Sequence, residues 1–127
     1  MQLPEDDERY LADKGCVWEL CPDGEGACLI VRDYEVSSDI YDRDRTNLMV
    51  RIPPQYNLAG LDMFYVDPPL RVRATGAFPP AADQTEPHCG VQWQRFSRHL
   101  PLPWRPGIDG LPTLFSHVSR ELQRTGK

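Results

Sequence analysis

Short runs of strand-forming residues occupy the first half of the chain. Residues 16–20 and 27–31 flank a turn sequence rich in glycine, which predicts a β-hairpin because glycine adopts the positive φ that tight turns require. Residues 47–52 alternate between apolar and polar side chains and stop at Pro53, which cannot donate to a strand ladder. Residues 63–66 form a fourth short run. The short connections between these runs predict a four-stranded antiparallel meander.

Helical patterns lie near the two ends of the chain. Residues 3–8 place a proline and four acidic side chains in a first turn, and Gly15 is a suitable stop. Asp109 can cap a second helix, and His117 lies off the apolar stripe of that helix, so we expect it to be a solvated surface residue. The stripe repeats at 3.6-residue spacing and consists of Leu111, Leu114, Phe115, Val118 and Leu122.

In two segments between these helices, the apolar residues follow neither the helical nor the strand period. Residues 70–87 predict an extended loop with room for a short strand at 70–73, and residues 90–104 predict a loop or short irregular element. The whole pattern predicts one α+β domain spanning residues 1–127. Its parts are an N-terminal helix, a four-stranded antiparallel meander, an extended crossing segment and a C-terminal helix.

Composition narrows the functional classes. The net charge of -5 argues against sequence-independent binding to nucleic acid, which requires lysine and arginine to neutralise phosphates. No apolar run is long enough to cross a bilayer, and no signal segment opens the chain. We therefore expect a cytoplasmic protein without membrane or nucleic-acid partners.

The four cysteines are expected to be free, because disulfides are rare in a reducing compartment. A metal site built from Cys21, Cys28, His88 and Cys89 is conceivable. The chain, however, has no C-x-x-C pair, which is the spacing typical of structural zinc sites. Buried free cysteine also behaves as a small apolar residue. The prediction is therefore no metal and no cofactor.

The most unusual chemistry lies in residues 90–104, where aromatic and basic side chains surround Ser97 and His99. In an extended backbone these two residues would point the same way. A serine hydroxyl needs a nearby base before it can act as a nucleophile, so a hydrogen bond between the two would support catalysis. The alternative interpretation is a packed loop with aromatic anchors that serves as a protein-binding surface.

The order of elements and several local strings resemble the ubiquitin-conjugating (UBC) fold. They are more closely similar to the prokaryotic ubiquitin-conjugating-enzyme-like family E, and the resemblance covers nearly the whole chain. The strings that carry it are Leu3-Pro-Glu-Asp-Asp7, Asp62-Met-Phe-Tyr-Val-Asp-Pro-Pro-Leu70, Ala81-Ala-Asp83, Trp93-Gln-Arg-Phe-Ser-Arg-His-Leu100 and Trp104-Arg-Pro-Gly107.

This resemblance implies a carrier in a bacterial ubiquitin-like conjugation system, in a process such as antiphage defence. The implied partners are a ubiquitin-like modifier, an activating (adenylating) enzyme and a JAB-type or other deconjugating peptidase. Conventional members of the fold place a cysteine about eight residues before the tryptophan, after a His-Pro-Asn string. This chain departs from that pattern, since Phe96 and Ser97 stand at the corresponding place before Trp104.

Three mechanisms follow from that departure. Ser97 carries the modifier as an oxygen ester, with His99 as base and Arg98, Gln94 or main-chain N–H groups at the oxyanion. Alternatively, Cys89 is the nucleophile and neighbouring His88 lowers its pKa. In the third, the domain is a catalytically inert UBC-like binding module or a scaffold subunit of the activating complex. The mechanism with Ser97 as the nucleophile is favoured.

Overall fold

One antiparallel sheet of six strands organises the fold, in the order β1-β2-β3-β4-β6-β5. The computed structural model describes residues 1–124. The helices are α1 (Glu5–Asp13) and α2 (Leu111–Gln123). The strands are β1 (Trp18–Asp23), β2 (Gly26–Glu35), β3 (Arg45–Ile52), β4 (Phe64–Asp67), β5 (Gln84–His88) and β6 (Val91–Phe96).

The α+β class and the antiparallel meander of β1 to β4 are confirmed, but the count of four strands is wrong. The hairpin of β5 and β6 lies in the two segments that were expected to be loops. Its pattern misled the prediction because Gln94 is 3% exposed at a position where an apolar residue is usual. The Gln94 amide donates to the carbonyl oxygens of Leu70 and Ala82 and accepts from the Leu70 N–H, so every polar atom of this buried side chain is satisfied.

The main core lies between one face of the sheet and the two helices. All five residues of the predicted apolar stripe on α2 are buried in it, together with Leu3 and Leu11 from the N-terminal region. The prediction for His117 is wrong. This side chain is only 2% exposed, and its Nε2 lies 2.7 Å from the carbonyl oxygen of Arg98. The Arg98 carbonyl oxygen supplies the polar partner that a buried imidazole requires.

A buried carboxylate joins the two helices. Asp7 accepts a 3.1 Å hydrogen bond from the Leu111 N–H and a 2.6 Å hydrogen bond from the Tyr56 hydroxyl. A negative group at this place suits the positive end of the α2 dipole. The predicted cap, Asp109, is wrong, because the N-cap residue is Gly110. Asp109 instead accepts a hydrogen bond from the Thr113 hydroxyl. The carboxylate that accepts from the main chain at the helix start is Asp7, 104 residues before Leu111.

The opposite face of the sheet carries a second apolar cluster, formed by Cys28, Ile30, Met49, Tyr65 and Trp93. The strands β1 and β5 are the two edges of the sheet, yet their ends meet across this face. Such a meeting requires the sheet to twist and curl as a whole, so that two corners far apart in the strand order approach each other. Cys21 and Cys89 form a disulfide there, so the expectation of free thiols is wrong for this pair and holds for Cys16 and Cys28.

Candidate functional site

Ser97 is the first residue after β6, where the chain leaves the sheet. Its N–H donates to the Ala81 carbonyl oxygen at 2.9 Å, and the Arg98 N–H turns back to the Phe96 carbonyl oxygen at 2.8 Å. The backbone is therefore bent here rather than extended. The half-buried Ser97 hydroxyl accepts a 2.9 Å hydrogen bond from Nε of Arg95. Among the described residues, no hydrogen bond joins Ser97 to His99.

His99 is paired with a carboxylate that the sequence prediction did not single out. Its Nδ1 lies 2.6 Å from Oδ2 of Asp62, and the other Asp62 oxygen accepts from the Leu100 N–H at 3.1 Å. The His99 side chain is 67% exposed. Within residues 1–124 its Nε2 has no hydrogen-bond partner, so it is available to a proton donor. The only sequence signal for Asp62 was its place at the start of the family-like string before β4.

Arg98 does not lie at the Ser97 hydroxyl. Its Nε and Nη2 donate to the Pro80 carbonyl oxygen, and its Nη1 donates to the carbonyl oxygen of Glu121 at 2.8 Å. Burial lowers the pKa of the Arg98 guanidinium from its ordinary value. The side chain thus ties the loop to the end of α2, and Arg95 is the cation that contacts Ser97.

A cleft of about 290 Å³ opens beside His99 and continues into a second of about 450 Å³ along α2. The indole N–H of Trp104 donates to the carbonyl oxygen of Asn57, which fixes the ring as one wall. Gly60 packs against this ring so closely that an added Cβ would lie 2.5 Å from Cγ of Trp104. The first cleft is lined by Gly60, Leu61, Asp62, His99, Leu100, Leu102 and Trp104.

The far end of the second cleft is charged. Arg105 and Asp109 form an ion pair at 2.9 Å, and the Asp109 carboxylate also accepts from the Arg105 N–H. These contacts lower the pKa of Asp109 to about 2. At the rim, Leu102 lines both clefts and exposes its large apolar side chain to solvent, at 76%. The cleft therefore offers an apolar surface that ends in a fixed carboxylate.

Cys89, the other nucleophile that the sequence suggested, lies in the turn between β5 and β6. In the disulfide with Cys21 it carries no thiolate. Cys28 is a free thiol, but burial raises its pKa to about 11, so it is neutral at physiological pH. Asp23, Cys28 and His88 place potential metal-ligand atoms within 4.8 Å of one another at this corner.

Comparison with known proteins identifies the family. The profile of the prokaryotic E2 family E matches residues 3–125. A search of curated proteins and a search of solved structures each found no match. Within the described residues, neither helix has the length and apolar character that a bilayer crossing requires. The chain therefore belongs to the prokaryotic E2 family E, which places it, at a coarse level, among ubiquitin-like conjugation carriers that meet a modifier and an activating enzyme.

Proposed function

We propose that this protein accepts the activated C-terminus of a ubiquitin-like modifier on the Ser97 hydroxyl and passes it to a target amine. The observation that carries the proposal is the His99–Asp62 pair, which stands open at the cleft two residues from Ser97. A carboxylate on Nδ1 orients an imidazole and leaves Nε2 as the base. A deconjugating peptidase of the JAB type is the expected third partner in such a system.

In the loading step, Ser97 Oγ attacks the activated carbonyl carbon of the modifier. The new bond is an oxygen ester, and the bond that breaks is the one to the group that activation attached. Arg95 already donates to Oγ, so the hydroxyl proton is free to leave for His99. Catalytic hydrogen bonds often tighten only in the complex, which accommodates the lack of a Ser97–His99 bond in the free protein.

In the transfer step, the target amine attacks the same carbonyl carbon and Ser97 Oγ leaves with a proton. An amine must lose its own proton during this attack, and His99 is exposed enough to receive it. The cleft lined by Gly60, His99 and Trp104 is the proposed path for the C-terminal tail of the modifier. Because Gly60 has no side chain, the Trp104 ring can lie against the main chain and shape a narrow groove.

The test is loading of the purified chain by its cognate activating enzyme, ATP and modifier. We expect an adduct that resists mild thiol and is cleaved by hydroxylamine, and we expect Ser97→Ala to abolish it. Ser119→Ala, an exposed serine on α2, is the matched control. Ser97→Cys should restore loading as a thiol-sensitive adduct, which shows that the position itself is the acceptor.

The same assay separates the proposal from the cysteine alternative. If Cys89 is the nucleophile, loading of the wild type will require a reductant that opens the disulfide with Cys21. It will then be lost in Cys89→Ala and retained in Ser97→Ala. That result would refute the assignment of Ser97 while leaving the carrier function intact.

A second candidate function, an inert binding module or scaffold subunit, is favoured by the exposed apolar rim of the cleft. Such a module would form no adduct in any variant. It would still bind the modifier or the activating enzyme, and Leu102→Asp should then weaken that binding because it puts a charge on the rim. Ser97→Ala should leave the affinity unchanged under this alternative.

A further inference from the structure

We propose that Asp23, Cys28 and His88 are three ligands of a Zn²⁺-type ion, and that reduction of the Cys21–Cys89 disulfide supplies a fourth ligand from Cys21. The site lies at the corner where β1 and the β5–β6 turn meet, on the sheet face opposite the helices. This inference does not depend on the proposed carrier function.

The three side chains already converge. Nδ1 of His88 lies 3.0 Å from Oδ2 of Asp23, and the Cys28 sulfur lies within 4.8 Å of both groups. Zinc bonds of 2.0–2.3 Å in a tetrahedron separate neighbouring ligand atoms by about 3.3–3.8 Å. Only a small adjustment of side chains would therefore seat the ion between them.

The strand register explains why a thiolate from Cys21 fits this set. Cys21 and Cys28 are directly opposed in the β1–β2 ladder, so their side chains lie on the same face. Asp23 lies two residues along β1 and points the same way. In the disulfide form the Cys21 sulfur is bonded to Cys89 and cannot ligate.

The surroundings match those of a metal-bound histidine. Nε2 of His88 lies 2.9 Å from Oε1 of Glu86, so an imidazole that ligates an ion through Nδ1 would donate its Nε2 proton to this carboxylate. A carboxylate in this place orients and strengthens the imidazole as a ligand. The His88 side chain is only 10% exposed, so this ligand is shielded from water.

Arg51 provides the charge balance. It stands opposite Cys28 in the β2–β3 ladder, and its Nη2 lies 3.0 Å from Asp23. Its Nε is buried and, among the described residues, has no hydrogen-bond partner. Two thiolates and a carboxylate around a divalent ion leave one negative charge, which this guanidinium neutralises. A ligated thiolate would also give the buried Nε an acceptor.

The redox step balances with a cellular dithiol as reductant. The dithiol reduces the Cys21–Cys89 disulfide to two thiols and becomes a disulfide itself. On metal binding, Cys21 and Cys28 release their thiol protons to solvent, because only the thiolate ligates. The ion then replaces the covalent bond as the link between the two corners of the sheet.

The test is a titration of the full chain, stripped of metal, with Co²⁺ in the presence and absence of a phosphine reductant. We expect the reduced protein to bind one ion with the near-ultraviolet absorption of thiolate-to-cobalt charge transfer. Zn²⁺ should displace it and raise the melting temperature of the reduced protein. Lack of this absorption in reduced protein would overturn the proposal.

Variants identify the ligands. Cys28→Ser and His88→Gln should each weaken binding by more than about 100-fold, and Glu86→Ala by about 10–100-fold. Cys16→Ser, a half-buried free cysteine elsewhere, is the matched control and should bind as the wild type does. Binding that is equally strong in Cys28→Ser would mean an adventitious ion only and would refute the site.

Two further variants test the link to the disulfide. Cys89→Ser frees the Cys21 thiol, so it should bind the ion without reductant as tightly as the reduced wild type does. Cys21→Ser should bind at least about tenfold more weakly even when reduced. The reverse pattern would overturn the assignment of Cys21. Circular dichroism of both variants checks that a loss of binding is not a loss of fold.

Discussion

His99 and His88 each contact a carboxylate at close range, but the two pairs differ in what surrounds them. His99 is 67% exposed and has one nitrogen on Asp62, while the other has no partner among residues 1–124 and faces a cleft. His88 is 10% exposed and has both nitrogens on carboxylates, Asp23 on one side and Glu86 on the other. An imidazole with a free nitrogen can move a proton, whereas one that is bonded on both sides holds structure together.

We therefore expect the His99–Asp62 pair to serve reactivity and the His88–Asp23 pair to serve stability. A change at the open pair, His99 and Asp62, should alter rates and leave folding unaffected, because a hydrogen bond between exposed side chains contributes little to stability. A change at the closed pair, His88 and Asp23, should lower the stability of the fold, because it leaves buried polar groups without partners.

The largest effect is expected for His99→Gln. Loss of the base should slow modifier loading by about 10²–10⁴-fold in single-turnover assays. The free energy of unfolding should change by less than about 0.5 kcal/mol in a urea titration, since the side chain is exposed. An unchanged loading rate would remove His99 from the reaction. A large loss of stability would show that the open pair is structural after all.

Gly60→Ala tests the cleft that accompanies the open pair. The new Cβ would lie 2.5 Å from Cγ of Trp104, so the indole must move. We expect a cost of about 1–3 kcal/mol in unfolding free energy and a weaker interaction with the modifier. In a Trp104→Ala background the same substitution should cost much less, because the two residues are coupled through this contact. Equal costs in both backgrounds would contradict the packing account.

Asp23→Ala tests the closed pair. In the presence of a chelator and with the disulfide intact, it removes the partner of His88 Nδ1 and of Arg51 Nη2. The expected loss of stability is about 2 kcal/mol. Asp39→Ala, which removes an exposed carboxylate, should cost less than about 0.5 kcal/mol. If the two variants are equally stable, the corner does not hold the sheet as described.

The smallest effect is a pH dependence at the charged end of the cleft. The pKa of Asp109 is lowered to about 2, so its contribution is present above the ordinary pKa of about 4 and is lost as the pH falls toward 2. Asp109→Asn should therefore be less stable than the wild type at pH 7, and the difference should vanish near pH 2. Asp13→Asn, at an exposed position, should show no such trend. A constant difference across the range would exclude the ion pair with Arg105 as its cause.

Local sequence determined the parts of the fold in which each element buries one regular stripe. The meander from β1 to β4 and the apolar face of α2 follow from spacing alone, because burial on one side imposes a period on the residues. The β5–β6 hairpin was missed because its strands lack such a regular apolar stripe. Its buried position is filled by Gln94, whose partners lie on other segments.

The candidate site divides in the same way. Sequence drew attention to Ser97 and His99, and their roles remain predictions. It gave almost no sign of Asp62 as the partner of His99, and it placed Arg98 where the structure has Arg95. Each of these pairings depends on how strands and loops are placed beside one another, which a local pattern does not encode.

By itself, the sequence determined the family, the α+β class and which residues carry unusual chemistry. Only the tertiary structure decided which of those residues meet. The clearest case is the corner where Cys21 and Cys89, which are 68 residues apart, come together although β1 and β5 are opposite edges of the sheet. That meeting depends on how all six strands twist and curl together, which is a property of the assembled sheet rather than of any segment in it.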